Sequence, residues 1–188
     1  HAAVRSNPGR PGSGRIDIRF INSGSAAAVF HVYDRLNLAA VPRRYTVEAG
    51  KQIADAWQPD GAGAYDLWLL GPNGWHRHIT GNARLALGAG QANPEVEVLT
   101  QRADGMLAVS LRNVGRAACT FVLSPNKYLA SSPQTFVVFP GQIQVQRLST
   151  SSAAGWYDWT ARVQGLSGWS RRFAGHIETG SPSISDPA

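Results

Sequence analysis

Two histidines stand two residues apart in the segment YDLWLLGPNGWHRHITG, residues 65–81. On a strand, residues i and i+2 share a face, so His76 and His78 could present two imidazoles to one metal ion. A metal site needs three or four ligands and an outer shell that orients them. The segment supplies only the pair. His1 raises a second chelation chemistry, because an N-terminal amine and its own imidazole can hold copper together. The Gly- and Pro-rich residues behind it, HAAVRSNPGRPGSGR, would support such a ligand poorly. Asp34, Asp60, Asp66 and Asp158 suggest a calcium site, which wants six to eight converging oxygens. The eight Asp and four Glu are instead spread along the chain with no D-x-D spacing, and Glu95-Val96-Glu97 has the alternation of a strand. No Gly-x-Ser-x-Gly, His-Glu-x-x-His or phosphate-cradling glycine loop is present. Expected catalytic, cofactor and metal residues are therefore none.

What remains are two tryptophan-bearing turns. Trp75 follows Asn73-Gly74, a strong two-residue hairpin signal, and Trp169 follows Ser167-Gly168. Each has an arginine two residues on, Arg77 and Arg171. Amphipathic rings beside cations suit a bilayer interface or a contact with another domain. The preferred alternative is that the rings fold back to close an end of the fold, because packing alone explains why both copies carry them.

The elements behind these residues come in two copies. Asn22, Gly24, Phe30 and Gly50 recur 91 positions later as Asn113, Gly115, Phe121 and Gly141. Tyr65-Asp66 recurs at an offset of 92 as Tyr157-Asp158, and Gly74-Trp75 at 94 as Gly168-Trp169. So small a drift marks an internal duplication with changes confined to loops. The second copy has Ser170 and Arg172 where the first has His76 and His78. A fold that does without the histidines in one copy does not need them in the other, and both read as solvent-face residues. The recurrent Tyr-Asp points to a structural role, such as a carboxylate bonded to a turn amide.

Alternating runs at 15–21, 28–33, 45–47, 52–57, 106–113, 119–124, 136–139, 143–148, 156–163 and 169–177 read as short strands joined by turns. A further strand is expected at 95–99, hairpinned through Ala103-Asp104-Gly105. Glycine (20) and proline (11) are plentiful and charged residues only 16%, which excludes a helical reading. The expectation is an all-β chain of two tandem Ig-like β-sandwich units, with a tyrosine corner at Tyr65 and Tyr157. The alternative is one larger sandwich built by both repeats. The expected boundaries are a flexible leader at 1–14, repeats at 15–93 and 94–178, and a tail at 179–188.

The net charge is +6, but the sixteen arginines are scattered rather than gathered in a stripe, which argues against nucleic acid. Cys119 is the sole cysteine and lies in an apolar run, where a thiol behaves as a small core residue. No run approaches the length of a membrane-spanning helix.

The stretches FINSGSAAAVFHVYD, YTVEAGKQIADAW, YDLWLLGPNGWHRHITG, GWYDWTARV and RRFAGHIETGSPSISDPA resemble the C-terminal region of bacterial phosphocholine-preferring phospholipase C, haemolytic and non-haemolytic. The resemblance spans nearly all of residues 15 to 187. It implies two β-rich repeats behind an N-terminal phosphatase-like catalytic domain, which would hold the metal and nucleophile and cleave phosphatidylcholine to diacylglycerol and phosphocholine. This region would then be a non-catalytic accessory without cofactor, secreted or periplasmic, that stabilises or orients that domain. A lipid-surface-binding role for the tryptophan hairpins is the alternative. Against the family pattern, the leader before Arg15 shows no strand to match 95–99.

Overall fold

The structure is a computed structural model that describes residues 2–7, 14–84, 90–101, 104–129, 131–179 and 182–186, the first of these as backbone only. The described residues are all-β, with a single 3-10 turn at Ser151–Ala153. The first repeat holds β1 (Ala2–Asn7), β2 (Arg15–Ile21), β3 (Ala28–Asp34), β4 (Arg43–Val47), β5 (Gln52–Trp57), β6 (Ala64–Leu70) and β7 (His76–Asn82). The second answers strand for strand: β8 (Pro94–Gln101), β9 (Met106–Asn113), β10 (Cys119–Lys127), β11 (Gln134–Val138), β12 (Ile143–Ser149), β13 (Trp156–Val163) and β14 (Ser170–His176).

These strands form three antiparallel sheets. Two are three-stranded, β1-β2-β5 and β12-β9-β8, and the third runs β11-β10-β13-β14-β7-β6-β3-β4. One core lies between β1-β2-β5 and the first-repeat half of the long sheet, built on Ile16, Ile18, Phe20, Phe30, Val32, Leu67 and Leu69. The other lies between β8-β9-β12 and the second-repeat half, built on Leu107, Val109, Leu111, Phe121, Leu123, Trp159 and Phe173. Period-2 alternation produces both: β9 alternates strictly between half-buried and buried residues, and its buried set is apolar down to Asn113. The repeats thus keep separate cores while β7 and β14 pair antiparallel and fuse their outer layers into one sheet.

The leader departs from expectation. Ala2–Asn7 is the strand β1, paired antiparallel with β2 from Ala2↔Phe20 to Asn7↔Arg15. It is the match to β8 that the sequence did not reveal, because AAVRSN lacks the β-branched, alternating signature of PEVEVLTQ. The alternation expected at 95–97 also fails: Glu95 and Val96 are both buried, because the start of β8 is covered on both sides.

Candidate functional site: an arginine junction between the repeats

Register places the two arginines. Along β7–β14, Ser170 faces Thr80, Arg171 faces Ile79, Phe173 faces Arg77 and Ala174 faces His76. Arg77 and Arg171 both fall on the core side of the sheet and are 6% and 3% exposed. They take up matched positions. Arg77 Nη1 donates to the His76 carbonyl (2.8 Å) and across the seam to the Ala174 carbonyl (3.1 Å). Arg171 Nη1 donates to the Ser170 carbonyl (3.0 Å) and across the seam to the Thr80 carbonyl (2.7 Å). Each guanidinium lies over the tryptophan of its own repeat, Arg77 at 4.5 Å from Trp75 and Arg171 at 4.6 Å from Trp169. Each also faces the tyrosine of the other repeat, Tyr157 and Tyr65.

The halves differ in one partner. Arg171 Nε and Nη2 form a two-pronged pair with Glu95 (3.2 and 3.0 Å), and Nη2 also donates to the Tyr65 hydroxyl at 2.8 Å. All five guanidinium N–H groups are thereby used, as a buried arginine requires. Burial alone would lower the pKa of Arg171, but Glu95 and Tyr65 outweigh it and hold the group firmly protonated. Arg77 Nη2, by contrast, is buried and has no partner among the described residues. Val96 pairs with Leu111 and Ala2 pairs with Phe20, so the counterpart of Glu95 is position 1, outside the described residues. His1 and any copper chelation by it lie outside them too.

The tryptophans are packed. Trp169 is buried in the second core and makes an edge contact with Phe121, while Trp75 packs on the first core against Phe30. The turns that deliver them use the left-handed backbone their sequences promised: Asn73 at φ 55° and Gly74 at φ 72° in one, Gly168 at φ 81° in the other. Arg77, Trp169 and Arg171 are thus buried at the seam and in the cores, while Trp75 is half-buried at the edge of the first core.

The opposite face of the same seam carries the histidines. Asp66 receives His78 Nε2 at 2.7 Å and Arg35 Nη1 at 3.1 Å. The second copy repeats the design with other bases: Asp158 is 4% exposed and bonds Arg172 Nε (2.9 Å), Arg172 Nη2 (2.5 Å) and Asn126 Nδ2 (2.8 Å). The recurrent aspartates thus clamp cross-strand bases rather than turn amides. Turn amides are bonded instead by Asp34, which accepts from Leu36 N, and Asp60, which accepts from Ala62 N and Ala64 N. His76 is half-buried on this face. Burial, then the nearby charges of Arg172, His78 and Arg77, push its pKa down to about 4 against the opposing pull of Asp158. The Tyr65 hydroxyl accepts from Arg171 across the seam, a bond between the repeats that a tyrosine corner does not call for. The closing glycines are explained by these rings. A Cβ on Gly81 would lie 2.4 Å from the Tyr65 hydroxyl oxygen, and one on Gly175 2.8 Å from that of Tyr157.

No group of three or more His, Cys, Asp or Glu among the described residues is arranged to hold a metal ion. Cys119 is buried, which pushes its thiol up to about 11, so it is a poor nucleophile at neutral pH. Glu95 as a partner of Arg171, and the bond of Tyr65 across the seam, were missed from sequence. The only available signal was that a buried arginine must find a carboxylate, and nothing in the order of residues says which of four glutamates reaches it.

The family model described as bacterial phospholipase C, C-terminal domain, matches residues 2–82 and again 94–176, one segment per repeat. The chain is 38% identical over its whole length to a non-hemolytic phospholipase C of Pseudomonas aeruginosa, of which it covers 26%. It is 38% identical over 93% of its length to a non-hemolytic phospholipase C of Burkholderia pseudomallei, covering 25% of that protein. It is 36% identical over 87% of its length to the hemolytic phospholipase C of Pseudomonas aeruginosa, covering 24%. The chain thus spans about a quarter of the length of these relatives.

Proposed function

The chain belongs to the family of bacterial phospholipase C C-terminal domains, and we propose that it is the non-catalytic accessory region of an exported phospholipase C. In this reading it steadies or orients a phosphatase-like catalytic domain elsewhere in the same polypeptide, which cleaves phosphatidylcholine. The observation that carries it is the fate of the chemistry-bearing residues. Arg171, Glu95 and Tyr65 neutralise and bind one another, as do Asp158, Arg172 and Asn126. Groups consumed this way hold a rigid platform together and, among the described residues, leave no activated nucleophile or poised base at the seam. Trp75, Arg77, Trp169 and Arg171 act in it as the contact between the repeats.

We read each repeat as an Ig-like sandwich. Its strands one, two and five form one layer, and its strands four, three, six and seven form the other. That is the seven-strand immunoglobulin arrangement with the fourth strand moved to the opposite sheet. In this division the first unit begins at β1 rather than at residue 15.

The test is hydrolysis of a chromogenic phosphocholine ester. The 188-residue chain should release no product above the blank, and clear turnover would overturn the non-catalytic reading. The accessory role is checked separately on the longer polypeptide. Deleting this region should lower the melting temperature of the catalytic domain, and an unchanged value would remove the stabilising part of the proposal.

A further inference from the structure

We propose that the loop 35–42, between β3 and β4, is a lipid-surface contact that dips apolar side chains into a bilayer containing anionic lipid. The proposal rests on the family reading, in which the chain travels with an enzyme of lipid surfaces. Its own support is local. Leu36, Leu38 and Val41 are 52%, 64% and 87% exposed, an apolar cluster left in water at one loop. The loop is ordered by its own bonds. Leu36 N donates to Asp34 Oδ1, Asn37 N to the Asp34 carbonyl, Ala40 N to the Asn37 carbonyl and Arg35 N to the Asp66 carbonyl. The apolar tips are therefore presented ready for insertion, with little ordering left to do on binding.

Arginines flank the tips. β4 is the outermost strand of the long sheet on this side and begins with Arg43 and Arg44. Arg43 is tied to Asp55 and stacked on Trp57, whereas Arg44 is exposed and in no ion pair among the described residues. Apolar tips with cations behind them complement the two layers of a membrane surface, acyl boundary and anionic headgroups. A stable protein partner would ask for about 800 Å² of matching surface, more than one short loop presents.

The duplication supplies a control. At an offset of 91 the second repeat has Lys127 for Leu36, Ser132 for Val41, Gln134 for Arg43 and Thr135 for Arg44. Leu38 corresponds to Leu129, which is half-buried against the second core. Among its described residues the second copy builds this loop without exposed apolar tips or arginines, with Lys127 as its exposed cation, so the apolar tips of the first copy answer to something other than folding.

Cosedimentation of the chain with vesicles of equimolar phosphatidylcholine and phosphatidylglycerol tests it. The chain should sediment with the vesicles, and less so as salt is raised. Leu38→Asp with Val41→Asp should cut the bound fraction about tenfold or more, with the melting temperature unchanged. A second variant, Leu36→Lys with Val41→Ser and Arg44→Thr, uses residues the other copy already accepts and should lose binding likewise. Val145→Asp, at another exposed apolar position, on β12, should bind as the parent does. The proposal is overturned if the parent chain stays in the supernatant, if either loop variant binds undiminished, or if Val145→Asp loses as much. The accessory reading stands or falls on ester hydrolysis and domain stability, which none of these outcomes touches.

Discussion

Asp66 and Asp158 occupy the same place in two copies of one strand, yet one is answered by a histidine and the other by an arginine. The clamp is what the fold keeps, and the base that closes it varies. Beside the first clamp, His76 carries a consequence for pH. Its ordinary pKa of 6.5 falls to about 4 in the folded protein, through burial first and then Arg172, His78 and Arg77, with Asp158 opposing. The unfolded chain therefore binds the extra proton between those values and the native chain does not. Stability from this group is complete above the unfolded pKa and drains away as pH falls toward the folded one. At about 1.4 kcal/mol per unit, and allowing for its partial contact with water, the loss is on the order of 2 kcal/mol. His76→Ser installs the second copy's residue and should flatten that decline. Urea midpoints at pH 7 and pH 4.5 for both proteins decide the matter, and parallel declines would show that His76 is not the group responsible.

Glycines at matched turns show how far an element's reason can differ between copies. Gly24 and Gly115 follow the buried asparagines Asn22 and Asn113, whose side chains cap both turns in the same way. A Cβ on Gly24 would meet only Asn22 Oδ1, at 3.1 Å. On Gly115 it would sit 2.3 Å from Asn93 N and 2.4 Å from the Gln91 carbonyl oxygen. The segment joining the repeats is bonded to this turn, Val114 N to the Asn93 carbonyl and Arg116 N to the Gln91 carbonyl. Backbone cannot swing aside as a long side chain can, so Gly115→Ala should cost about 2–3 kcal/mol and Gly24→Ala less than about 1. Chemical denaturation of the two variants checks this, and equal costs would refute the crowding account. The duplication, the strands and their turn residues were legible because offsets, period-2 alternation and Asn-Gly punctuation are local signals. What Gly115 touches was not, since that depends on where a segment twenty residues earlier passes. β1 was illegible for a related reason: AAVRSN is made a strand by pairing with β2 rather than by its own composition.

At the scale of the molecule, the open question is whether two cores make two folding units. Each core is closed within its own repeat, which by itself would let the repeats melt independently. Against this, β7–β14 pairing runs through the middle of the long sheet, and Arg171 bonds Thr80 and Tyr65 of one repeat and Glu95 of the other. Neither the pairing nor Glu95 could be foreseen from sequence, because edge strands that join two units look like any other strand. Unfolding either repeat alone would bare a full strand edge, and unfolding the first would take Thr80 and Tyr65 away from buried Arg171. Each buried donor left without its acceptor costs about 1–3 kcal/mol, a large share of the stability of a domain. The parent chain should therefore melt in one transition, with calorimetric and van't Hoff enthalpies equal. Glu95→Leu leaves Arg171 charged and unpaired at the seam and should lower the melting temperature sharply. Arg171→Met removes the charge and the cross-repeat bonds together. It takes the ion-pair partner from buried Glu95, so it too should lower the melting temperature, and it should split the trace into two transitions, because separate cores remain once that tie between them is cut. Arg77→Met, whose Nη2 has no described partner to lose, should leave a single transition. Two transitions in the parent chain would show that the repeats melt independently, and one in Arg171→Met would show that the strand pairing rather than the arginine sets the cooperativity.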